Sequence, residues 1–199
     1  MKTYTVIRRS ESFSWEQVPA VKMDSLLIPT ESDVTAEARL CYDDNALYVH
    51  LSAVEKHIRA EHFGPLDEIC EDSCLEFFVA PVWGDNRYFN IECNPNGAIY
   101  LGFGSHIDNL VRLIGESPVI IPKPERTADG WKVTYTVPLS FLRQFFPDFS
   151  MKSGTKMRGN FYKCGDLTEI PHYFCWNPMP LLPRASFHNP DSFGTLILE

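Results

Sequence analysis

The chain has 199 residues, enough for one domain with a full core, and its 26 acidic against 18 basic side chains give a formal charge of −8. The basic residues stand singly, so no stripe is available to neutralise phosphates, and nucleic acid is not an expected partner. Apolar residues at 44% and aromatics at 13% supply a core, yet no run approaches the ~20 apolar residues of a membrane helix, so no membrane partner is expected either.

The opening "MKTYTVIRRSESF" puts arginines after a short apolar run, the reverse of a secretory leader. As a complete chain the protein reads as cytoplasmic; with a leader removed it would be extracytoplasmic. Six cysteines, Cys41, Cys70, Cys74, Cys93, Cys164 and Cys175, form no CxxC or zinc-ribbon spacing and read as small apolar residues.

In "ARLCYDDNALYVHLSAV", Leu47, Val49, Leu51 and Ala53 alternate with Tyr48, His50 and Ser52, and Asp43-Asp44-Asn45 turns the chain, which predicts a hairpin with one buried face. Residues 56–71 lose that alternation and carry Gly64-Pro65, so they form a loop or hold a short helical turn. "DSCLEFFVAP" then reads as a strand buried on both faces: Leu75, Phe77 and Val79 share one face, while Cys74, Glu76 and Phe78 share the other. A carboxylate in mid-strand needs a partner or a wet concavity. An ion pair within the sheet is the plainer reading.

Further on, "RYFNIECNPNGAIYLGFG" places Phe89, Ile91 and Cys93 on one face and Asn90, Glu92 and Asn94 on the other, with Pro95-Asn96-Gly97 as the turn. "GWKVTYTVPLSFLRQFF" predicts a strand ended by Pro138 and a short helix at about 139–146. "MRGNFYKCGD" is another strand, and a proline-punctuated loop leads to the last, "FGTLILE", where Gly194 is expected to supply an unusual backbone angle. With no βαβ alternation and no linker, nine to eleven strands pack as a single all-β domain over 1–199, a two-layer antiparallel β-sandwich with one short helix.

Polar residues recur on one face of several strands: Glu76, then Asn90, Glu92 and Asn94, then Asn160 and Tyr162. Carboxylate, amide and phenol groups beside an aromatic are what sugar recognition uses, because hydroxyls need fixed donors and acceptors and a pyranose face stacks on a π-face. Trp176 in "FCWNPMPLLP" is the stacking candidate, with the anchoring of its own loop equally open.

The segments "EDSCLEFFVAP", "YFNIECNPNGAIY", "GWKVTYTVPLSFL", "RGNFYKCGD" and "FCWNP…FHNPDSFGTLIL", over residues 35–199, resemble family 9 carbohydrate-binding modules. The resemblance implies a sandwich that holds a saccharide or glycan chain end between two aromatic plates, without catalysis, often beside glycoside hydrolases; some members carry structural calcium. By position, the ligand-binding residues fall on Glu76, Glu92, Asn94 and Tyr162, and one plate on Trp176. The second plate falls at Cys70, which cannot stack as an aromatic does, leaving Phe63 or His62 as substitutes.

Other readings compete. Glu76 and Glu92 could serve as the carboxylate pair of a glycoside hydrolase. His57 and His62 lack HExxH, and with Cys70 and Cys74 they make a poor zinc set, so no metal ligand is assigned. Asp43, Asp44 and Asn45 and the cluster Asp67, Glu68, Glu71 and Asp72 offer oxygens to calcium, although turn chemistry and solvation account for them. Lys163 beside Cys164 could lower a thiol pKa.

Overall fold

In the computed structural model, residues 1–10, 12–28, 30–181 and 185–199 are described. Among them run fourteen strands and one α-helix: β1 (Thr3–Arg8), β2 (Val21–Lys22), β3 (Ser25–Leu26), β4 (Thr35–Tyr42), β5 (Ala46–Val54), β6 (Cys74–Ala80), β7 (Tyr88–Cys93), β8 (Ile99–Gly104), β9 (Val111–Arg112), β10 (Lys123–Arg126), β11 (Gly130–Pro138), α1 (Leu139–Phe145), β12 (Lys156–Gly165), β13 (His172–Cys175) and β14 (Gly194–Leu198). The all-β expectation holds. The strands beyond the expected eleven include β2, β3 and β9, two residues each, too short for any alternation to register in the sequence.

Hydrogen bonding is continuous in the order β10-β11-β5-β4-β1-β14-β12-β6-β7-β8-β9. Strand β1 joins the two layers: Thr3–Val6 pair in parallel with β14, and Ile7 and Arg8 pair in parallel with β4. The other ladders are antiparallel. The curled sheet closes on a core in which Leu40, Val49, Leu51, Trp131 and Val133 meet Leu75, Phe77, Ile91, Phe161 and Leu196. Period-two alternation therefore sends Leu75, Phe77 and Val79 inward, as expected, and turns Cys74, Glu76 and Phe78 to the far face of their layer.

Trp176 belongs to this core. It is 3% exposed, with ring centroids 6.3 Å from Tyr4 and 5.8 Å from Phe161. Its indole abuts Gly194, where a Cβ would stand 2.6 Å from Cη2. Gly194 is consequently required for close approach, and the unusual backbone angle expected there is absent; positive φ occurs at Gly84, Gly97 and Gly154. Gly194→Ala is expected to cost about 1–3 kcal/mol through overpacking, read as a lower urea midpoint with an unchanged m-value.

One polar cluster lies inside the sandwich. Glu55 accepts hydrogen bonds from Ser73 Oγ (2.7 Å), Lys163 Nζ (3.3 Å) and Trp131 Nε1 (3.0 Å), and the Lys163 ammonium also reaches His172 Nε2 (2.7 Å) and the Cys164 carbonyl (2.8 Å). Lys163 and Trp131 are 0% exposed. The cluster ties the end of β5 to β12 and so holds the strand whose opposite face carries Tyr162 and Cys164.

Candidate functional site

The outward face of β6, β7 and β12 is covered by the segment that leads into β14. Phe78, Tyr88 and Tyr162 on the strands pack against Phe193, Ala185 and Phe187 above them. Where this cover ends, a hollow of about 630 Å³ remains, lined by Cys70, Glu76, Glu92, Cys164, Asp166, Tyr173, Phe187 and His188, with Leu27 and Ile28 at the edge.

Register explains the floor. Glu76 on β6 stands opposite Glu92 on β7 and opposite Tyr162 on β12, so two carboxylates become cross-strand neighbours. Cys164 Sγ donates to Glu76 Oε1 at 2.9 Å, and Asn90 Nδ2 donates to Glu92 Oε1 at 2.9 Å. Glu76 is 2% exposed and Glu92 8%. Burial raises the Glu76 pKa well above the ordinary carboxylate range, and the Glu92 charge adds to it. Burial likewise raises Glu92, to about 7, against the opposing Asn90 hydrogen bond and Arg112 charge. Asp166, raised by burial too, adds a third acid beside Tyr173 and Cys70.

The aromatic wall comes from the C-terminal loop. Phe187 stacks on Tyr162 with centroids 4.1 Å apart and planes at 15°, and the Tyr162 hydroxyl donates to the Phe187 carbonyl at 3.1 Å. Tyr173 meets the same ring edge-on at 6.5 Å. His188 lies 5.1 Å from the Phe78 ring, and its Nδ1 is 2.8 Å from the Tyr88 hydroxyl; burial lowers its pKa to about 4, so the ring is neutral at ordinary pH.

A buried, hydrogen-bonded acid pair under a supported aromatic ring, on the outer face of a curled sheet, is joined by a direct sequence finding: the family model for carbohydrate-binding family 9 matches residues 9–198. The chain belongs to carbohydrate-binding family 9. Solved structures agree in fold across the whole chain. A protein from Bacteroides uniformis ATCC 8492, described provisionally as carbohydrate-binding, is 26% identical, with 100% of this chain and 99% of that one covered, and superposes with a TM-score of 0.84. A family 9 module from Caldicellulosiruptor kristjanssonii in complex with cellotriose is 16% identical, with coverage of 100% and 94% and a TM-score of 0.71. A family 9 module from the same organism in complex with glucose is also 16% identical, with coverage of 100% and 96% and a TM-score of 0.67. No curated protein matches the chain significantly.

Within this family 9 module, the expected site residues separate into three groups. Glu76 and Glu92 line the hollow. Tyr162 lies under it, 0% exposed, as the support for Phe187. Asn94 and Trp176 are not available to a ligand. Asn94 Nδ2 donates to Asp72 Oδ2 and the His62 carbonyl, and its Oδ1 accepts from Asn96 and Ala98 amides, so its hydrogen-bonding capacity is spent on the β7–β8 turn. Trp176 faces the opposite way, into the core. The substitutes for the second plate also fall elsewhere: Phe63 is 74% exposed, His62 bonds Glu71 at 3.0 Å, and neither lines the hollow, whereas Cys70 does.

Phe187, Tyr173, Asp166 and His188 were missed by the sequence reading. Phe187 and His188 lie in the proline-punctuated loop before the last strand, and a loop has no period from which to infer where a ring points. The spacing of Tyr162 and Cys164 on one strand face was the available signal, since an outward face this apolar needs a cover, and the segment after β13 supplies part of it.

Of the acids considered for calcium, Asp43, Asp67 and Asp72 are engaged by backbone and side-chain donors. Asp43 Oδ1 accepts from the Asn45 and Ala46 amides, Asp67 Oδ2 from Phe63 and Gly64, and Asp72 from Glu61, His62 and Asn94. These carboxylates pin turns. Lys163 does not activate Cys164 either: the lysine points into the core, and the thiol is raised by its hydrogen bond with Cys74 and by burial. The cysteine belongs to a different grouping, since Cys74, Glu76 and Cys164 each place one ligand atom within 4.8 Å of the others.

Proposed function

We propose that the protein binds a saccharide or glycan chain end in the hollow over Glu76 and Glu92, without breaking a bond. The observation that carries this reading is the pairing of recessed carboxylates with the Phe187 ring, which Tyr162 holds in place from below. A pyranose offers an apolar face to such a ring and hydroxyls to such acids, and a pre-positioned wall lowers the ordering cost of binding. Asp166 and Tyr173 at the rim add an acceptor and a hydroxyl. Family membership supports the same reading, as do the glucose and cellotriose carried by the Caldicellulosiruptor kristjanssonii modules.

Hydrolysis is the weaker alternative. It calls for two carboxylates whose surroundings drive their pKa values apart. Burial here raises both Glu76 and Glu92, so neither is held ionised as a nucleophile or base requires.

Calorimetric titration with glucose and cello-oligosaccharides, preceded by a glycan array, tests the proposal. Wild type is expected to bind at least one of these ligands, with Phe187→Ala binding about tenfold or more weakly through loss of stacking. Silence of the wild type across the array, or unchanged affinity in Phe187→Ala, overturns it. Reducing-sugar release that disappears in Glu76→Gln would reassign the site to hydrolysis.

A further inference from the structure

We propose that the floor of the hollow is also a metal site, in which Cys74, Cys164 and Glu76 bind one borderline-soft divalent cation of the zinc class. The β6–β12 register sets Cys74 opposite Cys164, and Glu76 follows two residues after Cys74 on the same face. The three ligand atoms lie within 4.8 Å of one another, and all three residues are buried, at 0%, 1% and 2% exposure for Cys74, Cys164 and Glu76. Tetrahedral zinc, with bonds of ~2.3 Å to sulfur and ~2.0–2.2 Å to oxygen, wants ligand atoms about 3.3–3.8 Å apart. Strand pairing fixes the backbone separation, and Cys164 Sγ and Glu76 Oε1 already stand 2.9 Å apart.

The donor set decides the ion. Calcium and magnesium require mostly oxygen ligands, whereas two thiolates with one carboxylate suit zinc or cadmium. Glu76 and Cys164 line the hollow, so the fourth position opens to water, and the Cys70 side chain lines the same space. Each thiol, and the Glu76 carboxyl, gives up its proton to the solvent as its bond to the metal forms, so affinity rises with pH. If the saccharide reading above is correct, the ion removes the Glu76 carboxylate from the ligand, and metal and sugar compete.

The test uses the fully reduced protein and the metal alone, which separates it from any saccharide result. Zinc titration followed by calorimetry, with cadmium as a second probe reporting the thiolate-to-metal ultraviolet band, is expected to give one equivalent per chain. Cys74→Ser and Cys164→Ser are each expected to weaken binding about 100-fold and to reduce the cadmium band. Glu76→Gln keeps both thiols and the side-chain volume, so it provides a ligand-deletion variant if the serine forms fail to fold; it is expected to weaken zinc at least about tenfold. No zinc binding by wild type, or binding that survives in Glu76→Gln and in either folded serine variant, overturns the proposal. Added zinc is expected to raise the Tm of wild type alone; an equal rise in the variants places the ion elsewhere and likewise overturns it.

Discussion

Glu55→Ala is expected to lower the free energy of unfolding by about 3–5 kcal/mol, the largest loss of any single substitution considered for this protein. Its carboxylate is 3% exposed and is the acid that pairs with Lys163, itself 0% exposed, at 3.3 Å. Truncation strands an ammonium in the core, with His172 Nε2 and the Cys164 carbonyl as its remaining neighbours, and also leaves the Trp131 indole N–H and the Ser73 hydroxyl without their acceptor. His172 cannot take over as a countercharge, because an imidazole is neutral or cationic. Burial first, and the Lys163 charge second, depress its pKa, which leaves it an acceptor for lysine while Nδ1 faces the Ile170 carbonyl. The double variant Glu55→Gln/Lys163→Met removes both charges and leaves an amide oxygen for Trp131 or Ser73. It is expected to recover most of the loss, since a buried pair replaced by apolar volume is often neutral in stability. Urea unfolding of Glu55→Gln, Lys163→Met and the double closes the cycle. Additive losses would mean that the two charges do not depend on each other.

The same cluster marks the boundary of what the sequence reveals. Alternation identified the inward and outward faces of β5, β6 and β7, because one side of each is apolar throughout and a period of two admits no ambiguity once register is fixed. Lys163 breaks that rule: it follows Phe161 on the inward face, and its acid partner is 108 residues away. Local pattern carries no information about such a pair. The two-layer sandwich was legible for the same reason that its closing device was not. Strand β1 reads as an ordinary apolar run, and its parallel pairing with both β14 and β4 depends on where distant strands end.

At the site, Glu76 and Glu92 stood out because each interrupts an apolar strand. Trp176 misled because an indole near a polar strand is equally suited to stacking on sugar and to filling a core, and only the bare Gly194 opposite it decides for the core. Tyr162 was found but with the wrong task. Its ring supports Phe187 and does not itself face the hollow's contents, a distinction that depends on a loop folding back over the strand.

Glu92→Gln is expected to change from neutral to stabilising as pH rises across the neutral range. In the folded protein burial raises the Glu92 carboxyl to about 7 from its ordinary 4.5. A folded-state pKa above the unfolded one means that the protonated side chain favours folding. That contribution is complete below about pH 4.5 and is lost as pH climbs through 7. At ~1.4 kcal/mol per pKa unit, full ionisation costs the wild type on the order of 3 kcal/mol. Glutamine keeps the shape and an acceptor for Asn90 Nδ2, and it never ionises. At pH 5 the variant should therefore match the wild type closely, whereas at pH 8.5 its Tm should stand about 5–10 °C higher. Glu76 lies directly across the strand pair and is raised both by burial and by the Glu92 charge, so removing that charge also brings Glu76 closer to its unfolded pKa and adds to the advantage at high pH. Scanning calorimetry of both proteins from pH 4.5 to 9 measures the difference directly. Parallel stability curves would mean that the two acids already sit in water, and the recessed floor on which saccharide and metal both depend would not exist.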